Sequence, residues 1–217
     1  MWTQVIDIEL PPIIKFERPS GGSEAIKEAA KLLSNADFPV ILSGAGVVLA
    51  DAINDCKALA EKLDSPVASG YQHNDSFPGS HPLAVGPLGY NGSKAAMELI
   101  SKADVVLALG TRLNPFSTLP GYGIDYWPKD AAIIQVDINS DRIGLTKKVS
   151  VGICGDAKQV AQQLLNSLSP EAGNKNRDER KALIHQTKSA WLQTLSSMDH
   201  EDDDPGTSWN EEARVRD

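Results

Sequence analysis

Short runs of consecutive apolar residues constrain the fold of this 217-residue chain more than any other feature. The runs lie at residues 39–43, 66–69, 104–110, 131–137 and 149–153. Strands whose apolar residues are continuous rather than alternating are buried on both faces, which is typical of a parallel sheet between two layers of helices. The sequence therefore predicts a doubly wound, Rossmann-like α/β fold with a parallel sheet of five or six strands.

Helical patterns separate most of these runs. Ser23 is the predicted N-cap of a first helix, and Asp156 is the predicted N-cap of an amphipathic helix that follows the last strand. Two further helices are predicted from about Ala50 to Leu63 and from Gly92 to Ile100. Residues 71–91 are rich in proline and glycine, so we expect an irregular segment there.

The character of the chain changes near both ends. Residues 1–20 contain three prolines and are expected to be an extended linker. Residues 21–168 are expected to form the α/β domain. Residues 169–217 are expected to be a helical and acidic linker, with one helix over 178–197.

Composition excludes several classes of protein. The net charge of −8 disfavours nucleic acid as a partner, because an acidic surface repels phosphate. The only two cysteines, Cys56 and Cys154, are far apart, which excludes a disulfide framework and a four-thiolate zinc site and fits a reducing cytoplasm. No apolar run is long enough for a membrane span, and no signal peptide is recognised. We therefore expect a cytoplasmic protein.

Two glycine-rich segments are expected at the carboxyl ends of the strands, where doubly wound sheets bind ligands. Gly44-Ala45-Gly46 follows the first strand, so its backbone could approach a phosphate at the start of the next helix. It is only a partial dinucleotide motif, because Leu49 stands where a third glycine would be, and a plain tight turn is the alternative. The second segment, residues 86–92, opens a helix and contains Gly89 and Asn91.

Two charged segments are expected at the same edge. Arg112 directly follows the strand that ends at Gly110, and its guanidinium could bind a diphosphate or form a structural salt bridge. Asp137 and Ile138 end the next strand, and the carboxylate could accept hydrogen bonds from ribose or cap a short helix near Asp141. His73 and His81 are expected to be surface or packing residues. We predict no catalytic residue and no metal ligand.

The order of these segments resembles the central domain of thiamine-diphosphate enzymes such as acetolactate synthase, pyruvate oxidase and oxalyl-CoA decarboxylase. The segments concerned are Pro39–Gly46, Ala103–Leu113 and Ile133–Ile138, and the resemblance covers residues 20–168. In that family the central domain binds FAD or ADP. The resemblance places a cofactor-binding site for a nucleotide of the ADP, CoA or FAD type at Gly44, Gly46, Gly89, Asn91, Gly110, Arg112, Asp137, Ile138 and Asp156. The Met-His pair of the FAD-binding members is absent near Tyr90, so the site could be vestigial.

A closer resemblance is to the acetyltransferases of this family that act on sulfoacetaldehyde. It is carried by residues 1–10, 86–95, 112–116, 123–130 and 209–214. It implies a parent enzyme that converts sulfoacetaldehyde and phosphate to acetyl phosphate and sulfite with thiamine diphosphate and Mg²⁺. The Gly-Asp-Gly…Asn motif for that cofactor is missing here, so we expect this chain to be the inactive middle piece of a longer enzyme. Its expected partners are the remaining domains, in a homodimer or homotetramer.

Three other functions are considered as alternatives. A sirtuin-like NAD enzyme would need four zinc-binding cysteines, and this chain has two. A classical NAD dehydrogenase would need the third glycine and an acidic residue at the end of the second strand, where Ser69 and Gly70 stand instead. The third alternative is a non-enzymatic scaffold whose buried faces join other domains and subunits, and we expect the isolated chain to be close to this.

Overall fold

The computed structural model describes Leu10, Pro12 and residues 17–201 of the chain. Its centre is one sheet of six parallel strands in the order β3-β2-β1-β4-β5-β6. The strands are β1 Pro39–Ser43, β2 Val67–Ser69, β3 Ala84–Pro87, β4 Val105–Leu109, β5 Ala132–Asp137 and β6 Val151–Cys154. The strand order reverses direction between β1 and β4, which is where such sheets open a crevice for ligands. The predicted doubly wound fold is confirmed, with the larger of the two predicted strand numbers.

Helices cover this sheet and account for the continuous apolar runs. They are α1 Ser23–Asn35, α2 Ala45–Leu49, α3 Ile53–Leu63, α4 Lys94–Ile100, α5 Ala157–Ser167 and α6 Arg177–Glu201. Helix α5 packs against both α1 and α3, and α4 packs against α6. Every residue of β1 and of β4 is buried. No helix within residues 17–201 is both long and apolar enough to cross a bilayer.

Two predicted helix starts differ from the structure. Gly22 rather than Ser23 is the N-cap of α1, and Ser23 is already the first helical residue. The helix predicted to begin at about Ala50 is two helices, because Asp51 has a positive φ of 53° that ends α2 before α3 begins at Ile53. The predicted cap at Asp156 is confirmed, since its side chain accepts hydrogen bonds from the first backbone N–H groups of α5.

The sequence pattern missed strand β3, which lies inside the segment predicted to be irregular. It is a four-residue edge strand that pairs only with β2, and its register shifts between Val67 and Ala68. It contains Gly86, with a φ of 91°, and Pro87. Proline has no backbone N–H, and an edge strand tolerates this because no further strand needs a donor there. Glycine and proline both favour turns, so the sequence pattern did not predict a strand.

Helix α6 is fixed to the domain by Arg180, whose side chain is only 1% exposed. Its guanidinium donates hydrogen bonds to five backbone carbonyls, those of Asp37, Leu63, Asp64, Gly173 and Lys175. The beginning of the segment predicted to be a linker after residue 168 is therefore packed on the domain. The domain boundaries themselves stay predictions.

Candidate functional site

A cavity of about 580 Å³ lies at the carboxyl ends of the strands. Its wall includes residues that follow β1, β4, β5 and β6. Seven of the nine predicted site residues line it: Gly44, Gly46, Gly110, Arg112, Asp137, Ile138 and Asp156. The other two, Gly89 and Asn91, follow the edge strand β3 and lie outside this lining.

The glycine turn after β1 packs directly against the turn after β4. A Cβ atom on Gly46 would lie 2.6 Å from the Cα of Gly110, and one on Gly44 would lie 2.6 Å from the Cβ of Thr111. Gly110 also has a left-handed φ of 62°. The contact between the two turns therefore requires these three glycines, in keeping with the plain tight turn that was the alternative to a phosphate-binding role.

Two backbone donors of the glycine turn, those of Gly44 and Gly46, are already occupied. The N–H of Gly44 donates to the carbonyl of Leu109 at 3.1 Å, and the N–H of Gly46 donates to the carbonyl of Gly110 at 2.8 Å. Neither group is available to a phosphate. Side chains in the cavity wall can supply positive charge for an anion instead.

Two arginines in the cavity wall can supply this charge. Arg112, which follows β4, is exposed, and Arg142, which follows β5, is half-buried. Among the residues that the structure describes, no ion pair joins either guanidinium to a carboxylate. Within this part of the chain Arg112 thus forms no structural salt bridge, and both side chains can bind an anion.

Asp137 keeps one carboxylate oxygen available to a ligand. Its Oδ1 accepts a hydrogen bond from the N–H of Asn139 at 2.9 Å, and no bond to Oδ2 is present within the described part of the chain. The 3-10 turn at Ser140–Arg142 is capped by Asn139, whose Oδ1 accepts from the N–H of Asp141. The capping role considered for Asp137 thus belongs to Asn139.

Asp156 uses both carboxylate oxygens within the protein. Oδ1 accepts from the N–H groups of Lys158 and Gln159, at 3.1 and 3.2 Å, which caps α5. Oδ2 accepts from Nη1 of Arg18 at 2.8 Å. The observed role of Asp156 is therefore to cap α5 and to hold Arg18 in the cavity wall.

The cavity also has an apolar part near its mouth. Leu49 and Ile138 line it with exposed fractions of 78% and 55%. Large apolar side chains left this exposed in a concave site can contact a flat ring of a ligand. Leu49, which replaces the third glycine of a dinucleotide motif, therefore contributes an apolar wall.

Several lining residues were missed by the sequence analysis, including Arg18, Gln72, Asn114 and Arg142. Arg142 follows β5 as Arg112 follows β4, so the same reasoning about strand ends could have found it. Arg18 lies in the segment before the domain, and its guanidinium pairs with Asp156 in the cavity wall. No local sequence signal indicates that contact.

Metal-ligating side chains do not cluster among the described residues. No group of three or more His, Cys, Asp or Glu residues within them could hold a metal ion. His81 lies 3.3 Å from Glu61 and packs its ring against Phe77, in keeping with a packing role, whereas His73 lines the cavity. The donor set needed for Mg²⁺ and a diphosphate-bearing thiamine cofactor is not found in this part of the molecule.

The fold and the cavity define a doubly wound α/β domain with a crevice at the switch point of its sheet. Residues 26–164 match the family model described as thiamine pyrophosphate enzyme, central domain. The chain therefore belongs to the thiamine pyrophosphate enzymes and corresponds to their central domain. This confirms the resemblance predicted from the strand-end motifs.

Within that family the chain is most similar to acetyltransferases among the relatives compared. It is 79% identical over 215 residues to the probable sulfoacetaldehyde acetyltransferase of Rhizobium meliloti (strain 1021). This alignment covers 99% of this chain and 36% of the relative. It is 75% identical over 213 residues to the sulfoacetaldehyde acetyltransferase of Roseovarius nubinhibens, covering 98% and 35%. A probable acetolactate synthase large subunit of Methanocaldococcus jannaschii is 38% identical over 200 residues, covering 89% and 31%. The chain thus spans about a third of the length of these relatives.

A solved structure supports the fold. Benzoylformate decarboxylase from Polynucleobacter necessarius superimposes with a TM-score of 0.61, covering 81% of this chain and 32% of that chain, at 19% identity. At this identity the likeness concerns the fold alone.

Proposed function

We propose that this chain is the central domain of an enzyme that converts sulfoacetaldehyde and phosphate to acetyl phosphate and sulfite. The support is the 79% identity to a probable sulfoacetaldehyde acetyltransferase along 99% of the chain, against 38% for an acetolactate synthase relative. The proposed partners of the domain are the remaining two-thirds of such an enzyme, in a homodimer or homotetramer in the cytoplasm.

The proposed cofactors of the whole enzyme, thiamine diphosphate and Mg²⁺, do not fit the residues of this chain. The Gly-Asp-Gly motif does not occur in the sequence, where Gly155-Asp156 is followed by Ala157, and the side chain of Asp156 is occupied by α5 and Arg18. We therefore derive no catalytic step from these residues, and we propose that the chain alone is inactive.

A domain exchange tests the assignment to the acetyltransferases. This chain would replace the corresponding segment of the Rhizobium meliloti relative, and sulfite release from sulfoacetaldehyde and phosphate would be measured. We expect activity within about threefold of the unmodified relative. The matched control carries the Methanocaldococcus jannaschii segment, and we expect it to be inactive. A folded but inactive exchange with the present chain would contradict the proposal.

We propose in addition that the cavity binds a nucleotide with an adenosine diphosphate group, as ADP itself or as part of CoA or FAD. The observation that carries this is the set of groups at one crevice: two arginines with no carboxylate partner among the described residues, an oxygen of Asp137 that accepts no hydrogen bond from them, and the exposed Leu49 and Ile138. Such a set matches a diphosphate, a ribose hydroxyl and a flat base.

Thermal unfolding with added ligands tests this site. A ligand present at about a hundred times its Kd stabilises the folded chain by ~2.7 kcal/mol, which raises the Tm by several degrees. We expect such a rise in Tm with ADP and a smaller rise with adenosine. The rises with CoA, FAD and NAD are then compared to identify the natural ligand. The Arg112→Gln variant should show a reduced rise with ADP.

A domain that binds no nucleotide is the second candidate function. The observation in its favour is that Gly44, Gly46 and Gly110 are required by the packing of two turns and that the N–H groups of the first two are occupied. No change of Tm with ADP, CoA, FAD or NAD would favour this scaffold role.

A further inference from the structure

We propose that Gln135 is the positioning residue that sets Arg112 and Arg142, two of the three arginines in the cavity wall, for anion binding, an inference that rests on the proposed nucleotide site. Gln135 lies in β5, is only 1% exposed, and does not itself line the cavity. A polar side chain buried in the middle of an apolar strand is costly unless its hydrogen bonds are made. Its partners therefore indicate why the strand contains a glutamine there.

The amide of Gln135 joins the two loops that carry the arginines. Its Nε2 donates to the carbonyl of Thr111 at 3.2 Å and to the carbonyl of Arg142 at 3.2 Å. Its Oε1 accepts from the N–H of Gly144 at 2.8 Å. One side chain thus bonds the loop after β4, next to Arg112, and the loop after β5, at Arg142 itself.

Only a primary amide satisfies these three partners. Two of them are carbonyl oxygens, which need two N–H donors, and the third is an N–H, which needs an acceptor. A carboxylate would face two carbonyl oxygens without a donor, and an apolar side chain would leave all three backbone groups without a partner. This pattern of partners also fixes which end of the amide is the nitrogen.

A second hydrogen bond also joins the loop after β4 to the loop after β5. The hydroxyl of Thr146 donates to the carbonyl of Leu113 at 2.8 Å, and Leu113 is buried with a left-handed φ of 52°. The backbone on both sides of Arg112 is therefore bonded to residues of β5 or of the loop that follows it. The distance between Arg112 and Arg142 depends on these hydrogen bonds. Gln135 is the only residue within 17–201 whose side chain bonds both loops directly.

Binding of ADP and of adenosine to the 217-residue chain separates positioning from simple stability. In Gln135→Met, which keeps the side-chain length, we expect the Kd for ADP to rise about tenfold and the Kd for adenosine to change less than about twofold, because only ADP has phosphates for the arginines to bind. In an Arg112→Gln/Arg142→Gln background, Gln135→Met should cause no further change in the Kd for ADP. Titration calorimetry measures each Kd.

The outcomes distinguish this inference from the proposed function. If the unmodified chain binds neither ADP nor adenosine, both proposals are overturned. If it binds ADP and Gln135→Met binds ADP equally well, or loses ADP and adenosine to the same extent, the positioning role is overturned and the nucleotide site stands. Should Gln135→Met not fold, hydrogen exchange of the Gly144 amide in the unmodified chain decides: slow exchange supports the bond to Gln135, and exchange as fast as in an open loop overturns it.

Discussion

Arg18 and Asp156 form an ion pair across 138 residues of sequence, with Nη1 and Oδ2 2.8 Å apart. The Asp156 side chain is 4% exposed, whereas that of Arg18 is 53% exposed. The N–H of Asp156 also donates to the carbonyl of Pro19 at 2.7 Å, and Ser20 forms a bridge with Gly155. The segment before the domain is therefore attached at the start of α5, beside the cavity.

The first prediction follows from the two roles of Asp156. Asp156→Ala removes both the cap of α5 and the partner of Arg18, so we expect a loss of about 1–2 kcal/mol in the free energy of unfolding. Arg18→Gln leaves the cap intact and removes only a half-exposed partner, so we expect it to cost less than about 1 kcal/mol. Urea unfolding measures both values. Equal losses in the two variants would contradict the capping role.

A second prediction concerns Gly110, which combines a left-handed φ with a close contact. In Gly110→Ala the new Cβ would lie 2.7 Å from the Cα of Gly46, so we expect a loss of about 2–4 kcal/mol from backbone strain and overpacking. Gly123 has a similar φ of 71° with no atom within 4 Å of an added Cβ, so Gly123→Ala should cost only about 1 kcal/mol. Chemical denaturation compares the pair. Similar losses would show that the contact between the two turns is unimportant.

Much of the fold could be predicted because buried strands require continuous runs of apolar residues. Strands β1 and β4 are buried along their whole length, and their continuous apolar runs indicated a parallel sheet. Strand β3 could not be predicted, since an edge strand of four residues has no need of such a run. Ser23 was a misleading signal because residues that favour the N-cap are also tolerated at the first helical position, and Gly22 takes the cap.

The position of the cavity could be predicted from the sequence, but the hydrogen-bond partners of its residues could not. Strand ends place Gly44, Arg112 and Asp137 at one edge of any parallel sheet, and the structure puts all three in the cavity wall. Whether an N–H or a carboxylate there is free depends on distant partners. The N–H of Gly46 is taken by Gly110, and the carboxylate of Asp156 by Arg18, and neither pairing leaves a trace in local sequence.

The third prediction is that charge dominates ligand affinity at the cavity. Arg112→Gln should raise the Kd for ADP about tenfold, corresponding to ~1.4 kcal/mol, because it removes a cation that no carboxylate of the described residues neutralises. The free energy of unfolding should change by less than about 0.5 kcal/mol, since the side chain is exposed. Calorimetric titration at low and high salt measures the effect. An unchanged Kd would mean that ADP does not contact Arg112.

A fourth prediction concerns the attachment of α6 through Arg180. Arg180→Met leaves five backbone carbonyls without this donor, so we expect a loss of about 3 kcal/mol. Lys175→Met is the matched control. Lys175 pairs with Asp37 at the surface, at 2.7 Å, and removal of an exposed pair should cost less than about 1 kcal/mol. Urea unfolding measures both, and comparable losses would contradict an anchoring role for Arg180.

Burial of Cys56 leads to a fifth prediction, about alkaline pH. Desolvation raises the pKa of its thiol from 9.0 to about 12, so above pH 9 the unfolded chain loses this proton while the folded chain keeps it. Because the folded state then binds more protons, its stability falls as pH rises, by about 1–2 kcal/mol between pH 8.5 and about 10.5. Burial also raises the pKa of Tyr126 to about 12, which adds to the fall in stability.

The Cys56→Ala variant tests the share of the thiol. Because it lacks the thiol, its free energy of unfolding should decline less steeply across this pH range. Urea unfolding measures both proteins, with a reductant present to protect the exposed Cys154. Parallel declines in the two proteins would show that the thiol does not titrate as its burial requires.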